Sequence, residues 1–301
     1  MMIWGIDLGG TKIEGVILKS ADEPDVLLRK RIDTEASGGY QHILGRIKKL
    51  VDDMSNESGE RPSALGIGTP GALDPNTKKL KNSNTTCLNG ELFQEDLEGL
   101  LQIPVKMAND ANCFALAEAR MGAVKSEIPD AKVVFGVILG TGVGGGVVVN
   151  GEVINGRHGI GGEWGHNFLD ESGGDCYCGK VGCVEKVISG KNLERYHHET
   201  FGEELKLRTI YQQHLDGNNP DASHTINRLI TMFGKAIAVV VNILDPDAIV
   251  LGGGVGNIDL LYTEGVKEAQ RHVFNPELNT RFLKPALGDS AGVFGAAFLV
   301  A

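Results

Sequence analysis

The chain has no excess of positive charge, no uninterrupted apolar run long enough to cross a bilayer and only five cysteines. Each shortage closes off a class of function. Across 301 residues the net charge is −10, so the basic face that nucleic acid requires is missing. Anionic nucleotides stay possible, through backbone amides and a metal ion. No apolar run reaches the roughly 18 residues of a membrane span. The opening MMIWGIDLGG has no basic n-region and enters a strand-like pattern at once, which argues against a secretory leader. The expectation is a cytoplasmic protein with reduced thiols and neither nucleic acid nor membrane as partner. At 42% hydrophobic and 23% charged the composition is globular, and the length suggests two domains of roughly 150 residues each.

Glycine is abundant: 42 of 301 residues, about twice the usual share. The glycines cluster at the ends of apolar runs, where tight turns and close ligand approach need them. Strand-like runs fall at Ile3–Leu8, Ile13–Leu18, Val26–Ile32, Ala64–Gly68, Val105–Ala108, Val133–Leu139, Gly146–Asn150 and Ala248–Leu251. Helical spacing marks Tyr40–Met54, Glu95–Leu101, Ala111–Met121, Ile226–Leu244, Ile258–His272 and Ala291–Val300. The segments from Gly5 to Thr11 and from Gly136 to Gly142 each read strand, then glycine turn, with a second strand following. They look like the openings of two related α/β halves. Strands feeding helices on a twisted sheet place ligands at the strands' carboxyl ends, so a cleft faced by the glycine turns is expected.

Gly140, Gly142 and Gly145 fit G-x-G-x-x-G, but a strand rather than a helix follows, so the dinucleotide reading fails. Gly174…Gly179-Lys180 falls short of a P-loop because Val181 replaces Ser/Thr. Three glycine turns remain: Gly9-Gly10-Thr11-Lys12, Gly140-Thr141-Gly142 and Gly252-Gly253-Gly254. Each alone is ordinary turn chemistry; all three at matching strand ends point to a bed for nucleotide phosphates. Asn109-Asp110 stands where a strand hands over to a helix. One reading is an N-cap. The other is a carboxylate aimed to accept a hydroxyl proton, kept ionised by the helix N-terminus. The strongest local signal is His166 with Cys176, Cys178 and Cys183, a Cys₃His set suited to structural zinc. Glu163, His166 and Glu185 bracket that loop.

Together these segments resemble the ROK family of sugar kinases, repressors and related proteins. The resemblance runs through Gly5–Lys12, Gly66–Gly71, Asn109–Cys113, Leu139–Gly146, Gly162–His166, Cys176–Glu185 and Leu251–Gly254. It implies an α/β, two-domain actin-like/hexokinase ATPase fold with ribonuclease H-like halves and a zinc-binding loop. The implied smaller domain is 1–120 joined by the C-terminal helix 290–301, and the larger is 121–289, with the zinc loop and the dimerisation and nucleotide surfaces. By that resemblance Asp7 and Gly9, Gly10, Thr11 and Lys12 meet ATP phosphates and magnesium. Gly140, Thr141 and Gly142 hold the second phosphate side, and Gly253 and Gly254 the adenosine. Asp110 is the catalytic base. Asn89, Asn109, Asp110, Glu163, His166 and Glu185 meet the sugar, His166 also binding zinc.

Lys81–Gly90, Glu163–Asn167 and Val241–Asp247 look closest to bacterial fructokinases of the manno(fructo)kinase type, which implies fructose as substrate, with mannose or glucose beside it. Cys87 departs from that pattern, where an aromatic residue is expected. N-acetylglucosamine and N-acetylmannosamine kinases share the same zinc and catalytic elements and form the alternative. A homodimer is the family expectation. A sugar-responsive repressor is the reading from another class; it calls for a helix-turn-helix before the first strand, where Ile3 already stands. A non-catalytic sugar binder is expected to have lost the base or a phosphate turn, and both are here.

Overall fold

Apolar runs of strand length alternate with amphipathic helices, and the chain folds accordingly; the structure, a computed structural model, describes residues 1–301. In order come β1 (Ile3–Leu8), β2 (Lys12–Leu18), β3 (Val26–Asp33), α1 (Tyr40–Ser58), β4 (Leu65–Thr69), β5 (Ala72–Leu73) and β6 (Leu80–Lys81). Then follow α2 (Phe93–Leu101), β7 (Val105–Asn109), α3 (Asp110–Arg120), α4 (Ala123–Glu127), β8 (Val133–Leu139), β9 (Val143–Val149) and β10 (Glu152–Val153). The remainder is α5 (Val184–Ile188), α6 (Gly190–Phe201), α7 (Leu207–Leu215), α8 (Pro220–Leu244), β11 (Ala248–Gly252), α9 (Gly253–Gly256), α10 (Glu264–Gln270), β12 (Arg281–Leu283) and α11 (Ala291–Phe298).

Two units result. The first holds Met1–Glu127, Gly146–Gly161 and Ala286–Ala301; the second holds Ile128–Gly145 and Gly162–Pro285. β9 straddles this division. Two five-stranded sheets carry the same strand pattern, β3-β2-β1-β4-β7 and β10-β9-β8-β11-β12. β1, β4 and β7 run parallel, as do β8, β11 and β12. The duplicated strand–glycine-turn opening in the sequence is therefore a duplicated sheet.

In the first unit β1 is covered on both faces, so it is apolar and buried except at Asp7, near its carboxyl end. One face packs Trp4, Ile6 and Leu8 with Ile43, Ile47, Leu50 and Met54 of α1 and Phe93 and Leu97 of α2, all buried. The other receives α11, the C-terminal helix. That contact is backbone on backbone: a Cβ on Gly66 would stand 1.7 Å from the Ala296 carbonyl oxygen, and one on Gly5 2.4 Å from the Ala297 nitrogen. Only glycine permits this approach. β3, at the sheet edge, alternates exposed and half-buried residues.

In the second unit β11 is buried at every position, and α8 packs against α6, α7 and α10. α8 has the length and mean hydropathy, 1.5, of a membrane span, contrary to the expectation that no such run exists. Half of its apolar window is buried within the protein, including Ile226, Leu229, Phe233 and Ile237, the burial of a core helix.

The single helix expected over Ile258–His272 is broken. A 3₁₀ turn at Asp259–Leu261 precedes α10, and the Tyr262 hydroxyl turns back to the carbonyls of Leu251 (3.1 Å) and Gly256 (2.8 Å). The strand expected at Gly146 begins earlier, at Val143. Its glycines allow the Trp164 ring to press on Gly145.

Candidate active site

In the first unit the parallel register sets Asp7 beside Gly68 and Thr69 beside Asn109. Asp7 and Asp110 thus stand at the carboxyl ends of β1 and β7 with β4 between them, the position where open α/β sheets bind ligands. They share a cavity of about 320 Å³ with Leu8, Gly9, Gly10, Pro70, Asn84 and Thr85.

Asn109 and Asp110 divide the two roles that the sequence left open. Asn109 is the cap: its Oδ1 accepts from the Asn112 backbone N–H at 2.8 Å. Asp110 is left to face the cavity, and its Oδ1 accepts from the Ala111 N–H at 2.8 Å. The helix terminus does favour the Asp110 anion, yet burial outweighs it and raises the carboxyl above its usual range. The expectation of a simply ionised Asp110 is corrected to this extent. Asp7 is pushed up to about 6, first by burial, then by the charges of Asp110 and Glu14, with Arg31 opposing. Two carboxylates crowded together in a partly dry site repel one another until a cation joins them.

The glycine turn is fixed from β3: Thr34 Oγ1 donates to the Gly9 carbonyl at 2.7 Å, and Gly9 N–H to Lys12 O at 2.9 Å. Gly9 and Gly10 line the cavity, while Thr11 and Lys12 are exposed on the turn beyond it. Asn89 has a structural use. Its amide accepts from Ser83 N–H at 2.8 Å and donates to Ser83 O at 3.0 Å, closing a loop that presents Asn84 and Thr85. The run Lys81–Gly90 was legible as important; which of its residues reach the cavity was not.

In the second unit Gly140–Gly142 turns between β8 and β9. Gly190 N–H donates to Gly140 O at 2.8 Å, and Val143 N–H to Glu185 Oε2 at 3.0 Å. A Cβ on Gly142 would stand 2.5 Å from that carboxylate oxygen, so a side chain there would push the Glu185 carboxylate off the Val143 N–H. Gly140 and Thr141 open onto a cavity of about 870 Å³ with Gly254, Lys191, Arg208 and Tyr211. Gly253, the other glycine expected there, lies outside this lining at φ 81°, where an added Cβ would stand 2.4 Å from the Leu139 carbonyl oxygen. The residues of α6 and α7 on this cavity carry no glycine-turn signal and escaped the sequence reading.

His166, Cys176, Cys178 and Cys183 bring one ligand atom each within 4.8 Å of one another. Cys178 and Cys183 sulfurs are 3.6 Å apart, and Cys176 Sγ lies 3.6 Å from His166 Nδ1. Tetrahedral zinc with bonds of about 2.3 Å to sulfur sets its ligands a little under about 4 Å apart, so the cluster has the right size. Burial, then Cys178 and Cys176, push the Cys183 thiol up to about 12. Crowded thiols of this kind ionise together only around a cation. Cys183 caps α5, which sets Glu185 on the first turn. Glu163 opens the 3₁₀ turn that carries His166, and all three of these polar residues are half-buried.

The ROK family model matches residues 3–301. The N-acetyl-D-glucosamine kinase of Vibrio atlanticus (strain LGP32) is 36% identical over 308 residues, covering 99% of either chain. That of Yersinia pseudotuberculosis serotype O:3 (strain YPIII) is 35% identical over 309, covering 99% of this chain and 98% of its own. A ROK hexokinase from Thermus thermophilus superposes with a TM-score of 0.87 at 31% identity, over 99% of this chain and 97% of that one. A ROK family glucokinase from Streptomyces griseus, solved with glucose and AMPPNP, gives 0.75 at 27%, over 99% of both.

Proposed function

From the premise that this chain belongs to the ROK family as a sugar kinase, we propose that it transfers the γ-phosphoryl group of ATP to the primary hydroxyl of N-acetyl-D-glucosamine. The observation that carries the reaction type is Asp110, a carboxylate released from capping duty by Asn109 and facing a cavity beside Asp7. Its raised pKa suits a base that takes a proton as the sugar oxygen attacks phosphorus. Phosphoryl transfer asks the protein for position and charge neutralisation rather than covalent chemistry.

Asp7 has the donor set and the setting for magnesium, which would neutralise phosphate charge when bound. Gly9 and Gly10 offer backbone amides on the same cavity. In the second unit the 870 Å³ cavity suits the nucleotide: Gly140 and Thr141 on one side, Gly254 on another, Lys191 and Arg208 for the phosphates. Glu163, His166 and Glu185 supply acceptors and a donor for sugar hydroxyls, with zinc holding the loop closed around His166 and Cys183. In this reading the enzyme acts in the cytoplasm, where ATP and the sugar are available, as the homodimer that the family resemblance implies.

For the sugar, the full-length relatives at 34–36% identity, named N-acetyl-D-glucosamine kinases, favour the acetamido sugar over the fructose expected from Lys81–Gly90 and Val241–Asp247. The deciding experiment is ADP release with magnesium and ATP across N-acetylglucosamine, N-acetylmannosamine, glucose, mannose and fructose. A kcat/KM highest for N-acetylglucosamine is expected. A preference for fructose restores the sequence expectation, and no turnover with any sugar overturns the kinase reading.

A further inference from the structure

Tyr177 lies between two of the cysteine ligands, so its backbone is fixed on both sides while its ring is 81% exposed. Its hydroxyl is 2.9 Å from His166 Nε2, and the two rings meet edge to face, centroids 5.1 Å apart at 86°. His166 Nδ1 is the nitrogen beside Cys176 Sγ. A neutral imidazole that gives Nδ1 to a metal carries its proton on Nε2, so Nε2–H donates to the Tyr177 oxygen. The phenol O–H is left to donate elsewhere.

Tyr177 therefore stands against His166, which with Glu163 at the start of its own 3₁₀ turn and Glu185 just after Cys183 was read above as the sugar side of the second unit. The carboxylates accept hydrogen bonds, and Tyr177 donates, since the His166 N–H is already spent on its oxygen. An open aromatic face beside paired donors and acceptors is what a sugar ring needs, since its C–H face stacks and its hydroxyls do both. Nothing in the fold requires an aromatic residue here, because the cysteines and His166 close the metal cluster without it.

We infer that Tyr177 is a sugar-binding and specificity-determining residue, its hydroxyl donating to the substrate and its ring forming a wall of the sugar site. The inference rests on the sugar-kinase reading and on Glu163, His166 and Glu185 facing the sugar. A mere supporting partner of the zinc-bound histidine would affect metal retention instead.

The test uses the full-length, zinc-loaded protein and its Tyr177→Phe, Tyr177→Ala and Glu163→Gln variants, assayed for KM of N-acetylglucosamine, KM of ATP, kcat, and zinc retained against a chelator. Tyr177→Phe is expected to raise the sugar KM about three- to tenfold, as for one lost hydrogen bond. Tyr177→Ala should raise it further, with the KM of ATP within about twofold and zinc retained. An unchanged or lowered sugar KM in both tyrosine variants, while Glu163→Gln raises it, overturns the inference and leaves the sugar site intact. If Glu163→Gln is also silent, the sugar reading of this loop falls, and the inference with it. Should the alanine variant not fold, Tyr177→Phe decides alone.

Discussion

The two sheets share one strand order and hold their functional groups in opposite ways. In the first unit Asp7 and Asp110 sit on strand ends within a rigid, glycine-packed sheet, and burial sets their electrostatics. In the second, Glu163, His166 and Glu185 ride on irregular chain held by 3₁₀ turns, a five-residue helix and two isolated β-bridges, Phe168 to Cys183 and Asp175 to Val181. Four side chains clustered at the spacing of a metal site would do there what hydrogen-bonded strands do in the first. Both places crowd like groups, two carboxylates in one and three thiols in the other, and a cation bound at either would relieve them. Precision can come from a sheet or from a crosslinked loop, and the cost differs: electrostatic strain in one case, dependence on a metal in the other.

The largest expected effect breaks the first side of this contrast. Asp110→Asn should cut kcat by about 10² or more, the loss expected when general-base help disappears. Circular dichroism should stay native and sugar binding largely survive, because Asn109 and not Asp110 caps α3. Unfolding of the variant would mean that Asp110 is a structural residue after all.

Next comes the second side. Cys178→Ser should lower bound zinc and the melting temperature together, by on the order of 10 °C, since metal binding supplies folding energy to a loop with little core of its own. A variant that keeps full stability and activity without zinc would show that the cluster is not a metal centre.

The smallest effect concerns the strain at Asp7. Its folded pKa, about 6, lies above the ordinary value, so the native state holds the proton more tightly than the unfolded chain does. The carboxyl therefore costs nothing below the unfolded pKa, near 4, and stability is lost as pH rises through about 6. Without magnesium and ATP, Asp7→Asn should raise stability at pH 7.5 by about 1–3 kcal/mol, with the gain vanishing toward pH 4 while activity falls. A melting temperature that is lowered by the substitution, or a gain independent of pH, would remove the strain.

Much of this was legible beforehand because it depends on local chemistry. β1, α1, β7 and β8 followed from apolar period alone, and the Cys₃His set from ligand type and spacing. Asp110 was marked by its place between a strand and a helix. What escaped depends on contacts between distant segments. The helix expected over Ile258–His272 starts only at Glu264, after a 3₁₀ turn whose following residue, Tyr262, bonds through its hydroxyl to Leu251. Asn84 rather than Asn89 reaches the cavity because the Asn89 amide is spent on Ser83. Lys191, Arg208 and Tyr211 sit on helices whose sequence pattern records only which face is buried.

By itself the sequence determined the repeated α/β frame, the glycine turns at strand ends, the metal-ligand set and the family. Periodicity, turn chemistry and ligand identity are all written residue by residue. Only the tertiary structure decided which of two adjacent polar residues caps and which faces the cavity, that the Glu185 carboxylate sits over Gly142, and that Tyr177 meets His166. Those outcomes turn on distances of a few ångströms, some between near neighbours and some between segments well separated in the chain, such as Gly142 and Glu185, and no periodicity or residue type records them.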